Sequence, residues 1–249
     1  MSKAAAAGDP QGAAGTMTLL EHLKELRSRL VKSCAAVVVG LLAGFWLLSN
    51  SNLIDQIILR FVGTGGVQIV RVTEAFTSFI GVALMLGIIL AMPVIVYQIL
   101  AFLTPGLTTK EKRWVFIGMP LVLVFFAAGL AFGWFITVPA AMKFLVGFGV
   151  NVAPTLIENK PTLDDFLDLL IRLLLVNGII FEMPMLMFTL AKLGILKPRA
   201  VARYRRYIIL AVVVVAAIIT PTGDPANLAL TALPMYLLFE FGLLLGLLA

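Results

Sequence analysis

The chain has 249 residues, of which 61% are hydrophobic and only 13% are charged, and its formal net charge at pH 7 is +6. A soluble domain needs a charged surface that this composition cannot supply, so the composition excludes an ordinary soluble enzyme or binding module. The mean hydropathy of +1.06 indicates an integral membrane protein instead. Because the basic residues lie mostly at the ends of apolar segments, we interpret them as a topology signal and predict no nucleic-acid partner.

Residues 1–16 are rich in alanine and glycine and lack the apolar core of a cleavable signal peptide. We predict a disordered tail over these residues and a single integral membrane domain over 17–249. The first membrane span is then itself the insertion signal. The single cysteine, Cys34, excludes an intrachain disulfide.

Six segments are apolar and long enough, or nearly so, to cross a bilayer as helices. The predicted spans are 31–48, 75–102, 114–138, 166–190, 207–219 and 228–248. Four leucines precede the first span at helical spacing: Leu19, Leu23, Leu26 and Leu30. This stripe predicts an interfacial helix over 18–30 that turns inward where the span begins. The predicted fold class is therefore an all-α membrane protein with six transmembrane helices.

The fifth predicted span, 207–219, is unusually short and ends at Thr220-Pro221. A helix of this length rises about 20 Å, whereas the hydrocarbon core of a bilayer is about 30 Å thick. We therefore expect the bilayer to be thinner beside this helix.

The distribution of basic residues predicts the orientation in the membrane. Of the 19 Lys and Arg residues, the N-terminal arm carries five, the second-to-third loop three, and the fourth-to-fifth loop six. Loops rich in Lys and Arg remain in the cytoplasm. Both termini are therefore predicted to be cytoplasmic.

Two glutamates lie within these basic segments, Glu25 before the first span and Glu111 in the second-to-third loop. Each has a structural explanation, because Glu25 can pair with Arg29 one turn later and Glu111 can close a capping box that begins at Thr108. A functional explanation is also open, since carboxylates bind guanidinium groups through paired hydrogen bonds that Lys matches poorly. Spacing alone does not decide between the two.

Several stretches of the chain resemble the TatC family, the core receptor of the twin-arginine protein translocase. They cover nearly the whole chain after Thr16 in matching order and spacing. They are His22-Leu23-Lys24-Glu25-Leu26-Arg27-Ser28-Arg29-Leu30, Pro93 to Phe102 with Pro105-Gly106-Leu107 and Glu111-Lys112-Arg113, Phe181-Glu182-Met183-Pro184, Leu196-Lys197 with Arg203 to Tyr207, Thr220-Pro221 with Asp224, and Pro234 to Glu240. The first outer loop departs from the family pattern because it lacks an expected proline, and the chain ends without the polar tail of many relatives.

The resemblance implies a curved, glove-like bundle in the cytoplasmic (inner) membrane of a prokaryote, with no enzymatic activity, metal or cofactor. It implies one cytoplasmic site for the paired arginines of signal peptides on folded cargo. The residues of that site are Glu25, Glu111, Arg27, Phe102, Pro105 and Leu107. It also implies that short fifth and sixth helices bind single-span TatA-type and TatB-type subunits, in a larger self-associating complex driven by the proton-motive force.

Polar residues in the last three spans form a second candidate site for partners. They are Glu182, Thr220 and Glu240. A charged carboxylate at the bilayer centre costs about 2.5 to 3.5 kcal/mol, so Glu182 is expected to face the protein interior or a wet cavity. Contact with a partner helix, a proton-linked switch and a packing hydrogen bond are all open for Glu182, and both function and packing are open for Glu240.

The alternative function is a proton-coupled small-solute secondary transporter, with Glu182 as its proton site. Such transporters often contain inverted repeats with paired broken helices, and the two halves of this sequence show no such similarity. An intramembrane enzyme is a third possibility, but the sequence has no His-Glu-x-x-His motif and no phosphate-binding glycine loop.

Overall fold

A computed structural model describes residues 19–103, 109–152, 160–192, 194, 196–220 and 225–248, and the predicted N-terminal tail lies outside them. The described residues form helices joined by short connections, with one isolated bridge between Gln68 and Thr162 and no strand. The helices are α1 (Leu19–Ser49), α2 (Leu53–Phe61), α3 (Glu74–Leu103), α4 (Thr109–Phe132), α5 (Val138–Val152), α6 (Leu163–Phe181), α7 (Met183–Lys192), α8 (Pro198–Ala202), α9 (Arg205–Ile219) and α10 (Pro225–Leu248). A π-helical turn, Gly133–Thr137, joins α4 to α5.

Within the described residues, five helical stretches are long and apolar enough to cross a membrane. They are Leu20–Ser49, Glu74–Phe102, Gly118–Gly147, Leu163–Lys192 and Asn227–Leu248. Helix α9 is the short fifth membrane helix that the sequence predicts, because its 15 residues rise only about 22 Å. The all-α fold with many membrane helices is confirmed, and bilayer thinning beside α9 stays a prediction.

Helix α1 corrects the prediction of an interfacial helix that turns inward near residue 30. It is one continuous helix of 31 residues. No proline or glycine occurs between Leu19 and Val39, so nothing interrupts its backbone hydrogen bonds. The predicted leucine stripe is exposed on the protein surface, as Leu23 and Leu30 illustrate. These leucines are therefore available for contact with lipid along one continuous helix.

The third and fourth predicted spans also differ from the structure. The third span continues past its predicted end at residue 138, because the π-helical turn directly before Pro139 lets the helix pass a residue that cannot donate a backbone hydrogen bond. The fourth span consists of two helices, α6 and α7, which are interrupted at Glu182. Pro184 explains the interruption, since it cannot donate to the carbonyl of Ile180.

Two further elements differ from the expectations. Helix α10 has 24 residues and rises about 36 Å, so the implication of a short sixth helix is wrong.

Helix α2, which lies between the first two spans, was not predicted. Its apolar face packs on the main core through Ile57, and Asp55 lies on the exposed face.

The main core lies among α1, α3, α5 and α6. Phe166, Leu170 and Leu173 of α6 are almost completely buried there against Val82 of α3. A separate cluster joins α9 to α10 through Val212, Ala216 and Met235. Helices α1, α4 and α9 begin on the side of the protein where α3, α7 and α10 finish. We call this side the basic face and the other side the opposite face.

The crossing of α1 and α3 depends on two glycines, Gly40 and Gly87. A Cβ atom at Gly87 would lie 2.6 Å from the backbone nitrogen of Leu41, and rotation of a side chain cannot relieve a contact between backbone atoms. We therefore expect Gly87→Ala to destabilise the protein by about 1–3 kcal/mol, as overpacked sites do. Thermal unfolding in detergent measures this effect.

Gly147→Ala is the matched control, because no described atom lies within 4 Å of a Cβ built at this position in α5. Alanine favours a helix by about 1 kcal/mol over glycine, so the control should be at least as stable as the native chain. Equal melting temperatures for the two variants would contradict the close crossing of α1 and α3.

Candidate functional site

The first turns of α1 and the last turns of α3 meet on the basic face. The ring of His22 in α1 stacks on the ring of Phe102 in α3, with centroids 4.4 Å apart and planes at 24°. Two turns further along α1, Arg29 donates from Nη1 to Oε1 of Gln98 in α3 at 3.4 Å. Polar and aromatic side chains from two helices therefore form one surface here.

Glu25 lies between these two contacts and is mostly buried, with 17% of its side chain exposed. Its Oε1 accepts from both Nε, at 2.9 Å, and Nη2 of Arg29, which confirms the pairing one turn apart that the sequence allowed. Its other oxygen, Oε2, is buried and has no hydrogen-bond partner among the described residues. An unpaired buried acceptor is costly, so Glu25 retains capacity to bind another donor.

The other residues predicted for this site are placed only in part. Arg27 is exposed on α1, whereas Pro105 and Leu107 lie outside the described residues. Glu111 belongs to the first turn of α4, and its side chain is also outside them, as is the predicted capping box at Thr108. The connection from Leu103 to Thr109 spans at most about 20 Å, so α4 begins close to Phe102 on the basic face. The pairing of Glu25 and Glu111 in one site stays a prediction.

Glu182 occupies the interruption between α6 and α7 and is 7% exposed. Its carboxyl lies beside the backbone of Phe126 in α4, and its Oε1 has no hydrogen-bond partner in the described part of the chain. The predicted position in the protein interior is confirmed. Little of this carboxyl is accessible to a partner helix, because its side chain is almost completely covered by the chain itself.

Thr220 and Glu240 lie at different depths. The hydroxyl of Thr220, just after α9, donates to the carbonyl of Ala216 at 2.7 Å. Glu240 lies level with the start of α9, where its two oxygens accept from Nε and Nη2 of Arg205 at 2.7 and 2.8 Å. The hydroxyl of Tyr236 also donates to Glu240 at 2.7 Å. Because α9 separates Thr220 from Arg205 by about 22 Å, Thr220 and Glu240 do not form one site; their roles in partner binding stay predictions.

The ion pair of Glu240 and Arg205 gives a testable prediction. Arg205→Glu and Glu240→Arg each place like charges together, so each should lower the melting temperature in detergent by a few degrees. The double variant restores opposite charges and should recover most of the loss. Arg206→Glu makes the same charge change at the next residue, which contacts Tyr207 instead, and should not be rescued by Glu240→Arg. Failure of the double variant to recover would show that this pair does not connect α9 to α10.

The sequence analysis missed a polar cluster on the opposite face, centred on Glu74 at the start of α3. Glu74 is 2% exposed, and its carboxylate accepts from the backbone N–H groups of Val70, Arg71 and Asp164 at 2.8 to 3.1 Å. Asp164 also pairs with Arg71 at 2.7 Å. The sequence feature that could have indicated this cluster is a glutamate in the first turn of a helix, where free N–H groups favour carboxylates. This cluster fastens the connection between α2 and α3 to the start of α6.

Comparisons with known proteins identify the fold. A family model described as "Sec-independent protein translocase protein (TatC)" matches residues 21–234. The chain is 35% identical over 237 residues to TatC of Deinococcus radiodurans, covering 92% of this chain and 85% of that protein. It is also 35% identical over 237 residues to TatC of Aquifex aeolicus, covering 94% and 96%.

The chain belongs to the TatC family. It is similar to a crystal structure described as the twin arginine translocase receptor TatC, with a TM-score of 0.77 and 33% identity over 92% of this chain and 99% of that one. A second crystal structure of TatC, in the detergent DDM, matches with a TM-score of 0.79 at 32% identity. The chain is therefore a multi-pass membrane protein and a core component of the twin-arginine translocase, a protein-transport machine. This membership displaces the small-solute transporter alternative.

Proposed function

We propose that the basic face of this TatC protein lies in the cytoplasm, at the inner membrane of a prokaryote, and binds the paired arginines of signal peptides on folded cargo. The observation that carries the proposal is Glu25, a mostly buried carboxylate with one oxygen held by Arg29 and the other without a partner among the described residues. The concentration of Lys and Arg in the segments that form this face supports its cytoplasmic orientation.

The geometry around Glu25 suits a guanidinium group. Arg29, itself bound to Gln98, fixes the orientation of the carboxylate, so an arginine that displaces the groups covering the buried Oε2 meets an ordered acceptor. Charge-assisted hydrogen bonds to a partly buried carboxylate are about twice as strong as neutral ones. Glu111 at the start of α4 is the second carboxylate for the second arginine. Arg27, Pro105 and Leu107 complete the proposed site.

The stacked rings of His22 and Phe102 add a flat surface beside Glu25. A planar guanidinium stacks on such rings, whereas the ammonium group of lysine does not. Both the paired hydrogen bonds and the rings therefore favour arginine over lysine.

Assembly with single-span TatA-type and TatB-type subunits is proposed for α9 and α10. An apolar groove of about 360 Å³ runs between these helices, lined by residues such as Val213, Leu228 and Leu233. Because α9 is short, its exposed valine and isoleucine side chains offer a partner helix a contact within the membrane. We propose that several copies associate in one complex and that the proton-motive force drives transport.

Peptide binding tests the proposed function. Purified protein in detergent is titrated with a fluorescent signal peptide that carries Arg-Arg and with the same peptide carrying Lys-Lys. We expect the arginine peptide to bind at least about tenfold more tightly, which corresponds to about 1.4 kcal/mol. Equal affinities for the two peptides, in a protein that elutes as a single folded species, would overturn the proposed role of the basic face.

A further inference from the structure

Two cavities near the opposite face share a wall and differ in chemistry. One, which we call the outer pocket, has a volume of about 650 Å³ and is lined by two basic residues, Arg60 of α2 and Lys143 of α5. The other, the apolar cavity, has a volume of about 640 Å³ and is lined mainly by aliphatic side chains of α1, α3 and α4, such as Leu48, Leu86 and Leu130. Arg60 and Phe135 line both cavities.

Aromatic rings hold the guanidinium group of Arg60 in place. Its Cζ lies 5.8 Å from the ring centroids of Phe61 and Trp134 and 5.5 Å from that of Phe135. Phe61 and Trp134 also pack edge to face at 4.9 Å. Ring contacts fix the plane of a guanidinium and leave its N–H groups free at the edge, where they can donate to an anion.

Neither cation of the outer pocket is neutralised by a carboxylate of the described residues. Among the residues that the structure describes, no carboxylate forms an ion pair with Arg60 or Lys143. Elsewhere on this face Arg71 is paired with Asp164. The outer pocket is therefore a place where two positive charges converge on a space that can hold an anion.

The apolar cavity extends from this pocket into the membrane region. Ile89, one of its lining residues, lies 15 residues after the start of α3, about 22 Å along the helix. The lining residues of α3 run from Val82 to Ile89, about 10 Å along the helix, so the cavity lies at the depth of the hydrocarbon core and can hold part of an acyl chain. Its volume lies within the range of about 300–1,000 Å³ that ligand sites have.

The geometry points to a binding site for an anionic phospholipid, with its phosphodiester headgroup between Arg60 and Lys143 in the outer pocket and one acyl chain in the apolar cavity. A free phosphate leaves the apolar cavity empty, and a neutral apolar molecule leaves the two cations unpaired. A phospholipid with a net negative charge satisfies both requirements, and the aromatic rings around Arg60 belong at the membrane–water interface where such headgroups lie.

Native mass spectrometry of the purified full chain in detergent tests this site. The probes are palmitoyl-oleoyl phosphatidylglycerol, the corresponding phosphatidylcholine, and two chain-free anions, glycerophosphoglycerol and inorganic phosphate. Both lipids carry a phosphodiester, but the choline cation of phosphatidylcholine would be repelled by Arg60 and Lys143, so we expect phosphatidylglycerol to bind about tenfold or more tightly. The chain-free anions should bind at least tenfold more weakly than the lipid, because they bury no apolar surface.

The double variant Arg60→Gln/Lys143→Gln should lose the preference for phosphatidylglycerol and bind both lipids alike. Lys160→Gln is the matched control, because it removes one exposed positive charge from the same face outside the pocket and should keep the preference. Three results would each overturn the site: an unchanged preference in the double variant, an equal loss in the control, or chain-free anions that bind as tightly as the lipid. Both altered side chains are exposed, and size-exclusion chromatography checks that the variants remain folded.

Discussion

Glu25→Gln is expected to weaken the binding of a twin-arginine signal peptide by about 10- to 150-fold, the loss of about 1.5 to 3 kcal/mol that a hydrogen bond to a charged group contributes. The substitution keeps the size of the side chain and removes the negative charge of a carboxylate whose Oε2 has no partner in the described residues. Fluorescence anisotropy with a labelled peptide measures the change. Stability should change little, because the amide oxygen of glutamine can still accept from Arg29.

Glu21→Gln is the matched control for this prediction. It removes the same charge one turn earlier on α1, from an exposed side chain. The same substitution at Glu111 should weaken binding by a similar factor, with a further loss of about 1 kcal/mol in stability if Glu111 also caps α4. If Glu25→Gln folds and binds the peptide as tightly as the native chain, or if Glu21→Gln weakens binding equally, Glu25 is not a signal-peptide ligand.

Glu182 is expected to tolerate a neutral hydrogen-bonding side chain and to lose transport when that group is removed. Its carboxyl is enclosed at the interruption between α6 and α7, with Oε1 unpaired in the described chain, so a lone charge there would be costly. Glu182→Gln keeps the size and the hydrogen-bonding groups and should retain substantial transport of a twin-arginine cargo. Glu182→Ala removes both and should transport little.

Partner cross-linking separates the explanations for Glu182. If it hydrogen-bonds to a partner helix, Glu182→Ala should reduce cross-links of partner subunits near α7 and α9, while Glu182→Gln should keep them. If instead a proton-linked switch operates, Glu182→Gln should fail like Glu182→Ala while the cross-links persist. Full transport by Glu182→Ala at normal expression would rule out both and leave only packing.

Part of the candidate site on the basic face could be predicted from the sequence, because it depends on residues one turn apart on the same helix. Glu25 and Arg29 are four residues apart, so a continuous helix brings them together whatever the rest of the chain does. The contacts of Gln98 and Phe102 with α1 could not be predicted from spacing, because both residues belong to α3. They reach α1 through the close crossing of the two helices at Gly40 and Gly87.

Some errors in the predicted elements share one cause. The sequence analysis cut helices where local composition changed, at residue 30 and at residue 138. Helices continue through such changes when their backbone hydrogen bonds are uninterrupted, as in α1, or when a π-helical turn accommodates a proline, as before Pro139. The analysis also passed over the interruption at Glu182, where Pro184 removes a backbone donor inside an apolar run.

The sequence by itself determined that this chain is a multi-span helical membrane protein, that its fifth membrane helix is short, and that its motifs are those of TatC. These properties follow from apolar length, loop charge and local motifs, which act over a few helical turns. Only the tertiary structure decided that Glu240 is paired with Arg205, that Glu74 anchors the connection between α2 and α3, and that Arg60 and Lys143 line one pocket. Those residues are 35, 90 and 83 positions from their partners, and packing between helices rather than periodicity along them brings such side chains together.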